Sequence, residues 1–190
     1  MSEKRKGILK LVILAVLLAG AQILLKEDGK VFAIWWLAVL LLGWCSFPLC
    51  QYLFSGFRDK GYLVAKIFGI ASAGFLMWLG AATGIVPFTA GSCLGSVAVF
   101  AVICWGVWIT LNKKKNKDRK FWQFTGEWYQ TALDDELVFT LLFLLWTYVA
   151  GFRPAAYGTE KFMDYGFMMA MMRSTTLPAK DLWYAGSKIN

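Results

Sequence analysis

The sequence predicts an all-α fold: a polytopic membrane protein with about five transmembrane helices, followed by an extracytoplasmic interfacial helix and loop. Three observations predict it. Hydrophobic residues make up 58% of the 190-residue chain. They fall in long runs, where a soluble core would alternate them with polar positions. One of these runs, residues 31–54, has no formal charge over 24 residues, and a bilayer core needs about 20 such residues.

Five apolar segments follow one another at residues 8–25, 31–54, 62–86, 92–111 and 137–152. The first follows a basic start at Lys4, Arg5 and Lys6, as a signal peptide would. No small-residue cleavage site with a polar mature region follows, and the second span begins almost at once, so the first is read as a retained helix. Pro48 inside the second span predicts a kink, because it removes a backbone donor and crowds the preceding turn. Glycines at 69, 74, 80 and 84, and the Gly91 to Gly95 GxxxG match, predict close helix approach, more within one chain than between copies. The fifth span is short and its ends are the least defined. Residues 1–60 then read as an N-terminal two-helix membrane hairpin, ahead of three spans and an acidic loop at 153–190.

Orientation follows from Lys and Arg, which accumulate in cytoplasmic segments. With the N-terminus inside, the cytoplasmic side carries Lys4, Arg5, Lys6, Lys10, Arg58, Lys60, Lys66 and six basic residues between 113 and 120, which is 13 of the 20. An odd number of spans then puts residues 160–190 outside the cytoplasm, with the plasma membrane as the expected location. The formal charge of +8 is explained by this bias, and the 113–120 run reads as a stop-transfer signal or an anchor for anionic lipids, with no nucleic-acid partner. Trp122, Trp128 and Tyr129 next to it suit an interfacial helix. Lys66, near the cytoplasmic end of its span, is expected to snorkel to the headgroups. The membrane interior is then expected to hold no buried ion pair, which argues against a complete transporter.

The chain contains no histidine, so the commonest general base and transition-metal ligand is missing. The four cysteines lie in or beside apolar segments without a CxxC pair, which disfavours a disulfide framework or a zinc site. Chemistry therefore falls to carboxylates, Tyr, Lys and Arg, and these gather in residues 160–190. Pro154 and Gly158 mark a break, and Thr159 can cap a helix starting near Glu160. Glu160 and Asp164 then stand one turn apart on one face. A carboxylate pair near a helix N-terminus can act as a general base or hold a divalent cation through oxygen ligands. Alternatively, Glu160 is first-turn helix chemistry and Asp164 pairs with Lys161 or Arg173. Arg173 suits a phosphate, or a lipid headgroup. Asp181 with Trp183 has the acid-plus-aromatic composition that holds a sugar ring, or that anchors a membrane interface.

The stretch from about Gly61 to Asn190 resembles the "YYY" family of predicted bacterial and archaeal membrane proteins. The residues that carry the resemblance are Gly61-Tyr62 with Lys66, Gly84-Ile85-Val86-Pro87-Phe88, Gly158-Thr159-Glu160-Lys161-Phe162-Met163-Asp164, Arg173-Ser174, Asp181-Leu182-Trp183-Tyr184-Ala185-Gly186 and Ile189-Asn190. The family reads E-K-P-M-D and D-P-W, so Phe162 and Leu182 depart from it at two prolines while the acids match. The resemblance implies that a tyrosine triplet and further membrane helices follow the matching Asn, so the chain is expected to be an N-terminal fragment and inactive alone. The family in turn resembles the GT-C membrane glycosyltransferases, which use a polyprenyl-phosphate-linked sugar. That likeness implies Asp164 as base and Glu160 as its partner, with Arg173, Asp181 and Trp183 as candidate substrate contacts; the expected cofactor is none, or a divalent cation at the carboxylate pair. The competing expectation is a non-catalytic membrane scaffold or a glycan- or partner-binding protein.

Overall fold

The computed structural model describes residues 3–114, 125–152, 155 and 160–189, with the backbone alone at 112–114. Six α-helices carry it: α1 (Glu3–Leu25), α2 (Gly29–Leu53), α3 (Tyr62–Ala82), α4 (Ala90–Lys114), α5 (Gly126–Gly151) and α6 (Lys161–Arg173). Among the described residues, three helical stretches are long and apolar enough to cross a membrane: Glu3–Leu53, Tyr62–Ala82 and Ala90–Leu111. The first of these is α1 and α2 run together through a short 3₁₀ turn at Lys26–Asp28. The all-helical, polytopic membrane fold expected from the sequence is therefore the one observed.

The described chain divides into two compact units, Met1–Ile70 with Ala101–Phe152, and Ala71–Phe100 with Arg153–Asn190. In the first unit α1 and α2 pack on each other across the Lys26–Asp28 turn. Lys26 there takes φ +51°, and the Gln22 amide donates to the Gly29 carbonyl at 2.9 Å. A Cβ at Gly29 would lie 3.0 Å from Gln22 Cα, so the backbone is tightly packed at that point. Along α1, Lys10 reaches Asp134 on α5 at 2.7 Å and Gln130 Nε2 donates to the Glu3 carbonyl at 2.9 Å.

Between α2 and α3 the chain turns on Asp59, whose two carboxylate oxygens accept from Gly61 N at 3.1 Å and Leu63 N at 3.0 Å. The acid thereby satisfies two backbone donors at the start of α3. The core of this unit is Phe47, Cys50, Tyr62, Ala65, Trp128 and Ala132. Pro48 is fully buried in α2, which continues past it to Leu53.

Trp128 corrects one expectation. Placed by sequence on an interfacial helix, it is 6% exposed, packs on Phe47 and Tyr62, and donates its indole N–H to the Asp59 carbonyl at 3.0 Å. The reason is that α5 begins at Gly126, 11 residues before the expected span, with Thr125 as its cap. Trp122 and the basic run beyond Lys114 lie outside the described residues.

In the second unit the end of α3 is closed by a Schellman turn. Gly84 has φ +74°, Ile85 N donates to the Gly80 carbonyl at 2.9 Å and Gly84 N to the Ala81 carbonyl at 3.2 Å. The span expected to reach residue 86 therefore ends at Ala82. Met77, Ala81, Ala170, Leu177 and Ala179 form the core here. Phe88 N donates to the Thr175 carbonyl at 2.8 Å, and an isolated antiparallel bridge joins Lys180 to Lys188.

The glycines divide by use. Gly69 is pressed against the Leu42 carbonyl, so α2 and α3 meet there with no room for a side chain. A Cβ at Gly95 of the GxxxG match would meet nothing within 4 Å, and one at Gly91 would meet only Thr89 Oγ1, at 4.0 Å.

Candidate functional site

α6 begins at Lys161, with Glu160 as its cap residue in helical backbone geometry and without a side-chain cap hydrogen bond. The expected Thr159 cap and the Pro154 to Gly158 break lie outside the described residues. Asp164 N donates to the Glu160 carbonyl at 3.0 Å, the bond that sets residues four apart on one helix face. Both acids are exposed. The helix brings them together as the spacing predicts.

Arg173 is not brought to them. It is exposed in the last turn of α6, nine residues past Asp164, which is about 13 Å along a helix and half a rotation around it. Among the described residues, none of Glu160, Asp164 and Arg173 enters a salt bridge. Among the same residues no group of three or more Cys, Asp or Glu is placed to hold a metal ion.

Asp181 and Trp183 serve the local fold. Asp181 Oδ1 accepts from Trp183 N at 2.8 Å and Tyr184 N at 3.2 Å, an Asx turn that reverses the chain. Gly186 at φ +85° completes the reversal. The Trp183 ring lies edge-on to Phe167 at 5.0 Å and over Gly166, where a Cβ would come within 2.7 Å of it. Glycine at 166 leaves room for the outer edge of the indole against α6, two residues from Asp164.

A second polar site lies in the first unit, and it overturns the expectation of a snorkelling Lys66 and an interior free of paired charge. Lys66 Nζ meets Glu136 Oε2 at 2.7 Å, with the side chains 3% and 5% exposed. The Tyr62 hydroxyl donates to the same oxygen at 2.9 Å, and the ammonium lies 4.6 Å from the Tyr62 ring centroid and 5.0 Å from that of Phe139. Around it, Thr140 Oγ1 accepts from Trp36 Nε1 at 2.9 Å and donates to the Glu136 carbonyl at 2.7 Å. Burial of either charge alone would cost several kcal/mol, roughly, and pairing offsets that cost.

The physical reason for the correction is the early start of α5, which carries Glu136 alongside Lys66. A signal was present in the sequence. Tyr62 and Lys66 are four apart, as are Glu136 and Thr140, so each pair shares a helix face, and Lys66 is a single charge on an otherwise apolar stretch.

With both sites described, the comparisons with known proteins can be set beside them. The family described as Uncharacterized membrane protein (DUF2298) matches residues 72–190, well over half of the chain. The chain belongs to this family. The matched stretch includes Glu136, all of α6 and the Asp181 loop. It leaves out α1, α2 and Lys66. No curated protein and no solved structure matches the chain.

Proposed function

We propose that this integral membrane protein contributes to transfer of a sugar from a polyprenyl-phosphate carrier, as the GT-C class does, with Asp164 as the base. The YYY resemblance and the orientation expected from the basic residues belong to this reading: α6 faces the extracytoplasmic side of the plasma membrane. One observation supports it above the others. Glu160 and Asp164 are exposed one turn apart on α6, inside the family-matched stretch and without a salt-bridge partner among the described residues.

In this reaction the Asp164 carboxylate takes the proton of an acceptor hydroxyl as its oxygen attacks the anomeric carbon. The bond from that carbon to the lipid phosphate breaks, and the phosphate leaves with the electron pair. Glu160 orients the acceptor. Such a step needs proximity and charge placement and no histidine. Arg173, half a turn around the helix from Asp164, is assigned to lipid headgroups instead of the leaving phosphate.

A second reading is favoured by the engagement of Asp181 and Trp183 in the loop fold: the segment is a rigid non-catalytic surface that binds a glycan or a partner. Membranes from cells expressing the native gene, supplied with radiolabelled polyprenyl-phosphate sugar, separate the two. The transfer reading expects labelled product in wild type and its loss in Asp164→Asn at matched expression. Equal labelling in both, or none in wild type, sinks it and leaves the binding reading.

A further inference from the structure

We propose that a cavity within the first unit binds an organic ammonium group, held by Glu136 and by the faces of aromatic rings. The inference does not depend on the reading of α6.

It begins with an asymmetry on one carboxylate. Glu136 Oε2 takes both available donors, Lys66 at 2.7 Å and Tyr62 at 2.9 Å, while Oε1 is buried and has no hydrogen-bond partner among the described residues. Buried polar atoms are nearly always paired, so an orphan carboxylate oxygen points to a missing donor. Glu136, 4% exposed, also lines a cavity of about 220 Å³. Trp36, Trp44, Tyr62, Trp128 and Tyr129 form most of its wall, and leucine and alanine side chains complete it.

The chemistry of that wall selects the ligand. Ring faces carry negative potential and attract a cation, most strongly when water is excluded. The local charge points the same way. Asp135, next to Glu136 on α5, has a second buried carboxylate oxygen without a partner among the described residues, Oδ2, whereas Lys10 is already engaged by Asp134. Asp134, Asp135 and Glu136 thus stand against Lys10 and Lys66, a balance that disfavours an anion.

A bare metal ion fits poorly, because hard cations take six or more oxygen ligands and no acid cluster of three is present among the described residues. An alkylammonium fits both halves: its charge pairs with the Glu136 carboxylate that lines the cavity, and a short apolar chain lies against the rings and leucines. The volume is below the roughly 300–1,000 Å³ of drug-sized sites, so the occupant is a headgroup or a small amine.

Calorimetric titration of hexylammonium chloride into the purified protein in nanodiscs tests this, with hexanol and empty nanodiscs as comparators. Saturable binding of hexylammonium is expected, at least tenfold tighter than hexanol. Glu136→Gln should weaken it at least tenfold. Ala132→Leu, which fills the cavity from α5 while leaving Lys66 and Glu136 in place, should remove it, with thermal unfolding checking that each variant is folded. Heat no different from empty nanodiscs, hexanol binding as tightly, or unchanged affinity in folded Ala132→Leu would overturn the proposal. The comparison of amine with alcohol on the wild-type protein decides it even where a variant fails to fold.

Discussion

Lys66 Nζ and Glu136 Oε2, 70 residues apart in sequence, lie 2.7 Å apart in a setting where both side chains are at least 95% buried. The pair ties α3 to α5, and Tyr62 and Thr140 extend it into a polar core inside an apolar unit. Ionisable residues in such segments are expensive to hold and usually functional, which makes this contact the first target for mutation.

Removing one partner leaves the other charge buried without compensation. Lys66→Met or Glu136→Leu alone should destabilise the protein by about 3–5 kcal/mol, whereas the paired replacement should return to within about 1 kcal/mol of wild type or exceed it. Denaturant unfolding in detergent measures this. A double variant no more stable than the singles would show that the pair does not act as a unit.

Gly69 should be intolerant where Gly74 is not. A methyl group at 69 runs into the Leu42 carbonyl, while one at 74 meets nothing within 4 Å. Gly69→Ala should lower the thermal midpoint by several degrees, as overpacking costs about 1–3 kcal/mol. Gly74→Ala should hold it or raise it.

Much of this architecture was legible in the sequence. The uncharged run at 31–54 and its neighbours gave the first four helices with ends correct to within a few residues, because length and charge alone decide what a bilayer accepts. Glu160 and Asp164 were placed together correctly, since helix periodicity is local. Lys66 and Trp128 were misplaced for one reason. Both depend on where α5 starts, and that is decided by packing against Phe47 and Tyr62 and by the Lys66 to Glu136 pairing, contacts across some 70 residues or more that no local pattern reports. Trp183 was read for its ring chemistry, while its seat depends on the missing side chain at Gly166.

That seat is testable by compensation. Gly166→Ala should push Trp183 off α6 and speed tryptic cleavage at Lys180 and Lys188, and adding Trp183→Leu should restore slow cleavage by shortening the side chain. Equal cleavage rates in wild type and Gly166→Ala would mean that the ring does not rest there.

Asp181 separates fold from chemistry. Asp181→Asn keeps the Oδ1 acceptor and should hold stability within about 0.5 kcal/mol, whereas Asp181→Ala loses both backbone contacts and should cost about 1 kcal/mol. If Asp181→Asn keeps its thermal midpoint and still loses transfer, the carboxylate charge contacts substrate. Retained transfer assigns Asp181 to the turn alone.

In the proposed topology this integral membrane protein presents the Glu160 and Asp164 carboxylates outside the cytoplasm. The most direct test replaces Cys45, Cys50, Cys93 and Cys104 by alanine, introduces Asp164→Cys or Lys60→Cys, and labels intact cells with a membrane-impermeant maleimide. Position 164 should label in intact cells, and position 60 only after permeabilisation. Labelling of position 60 in intact cells, with position 164 protected until the membrane is opened, would contradict it.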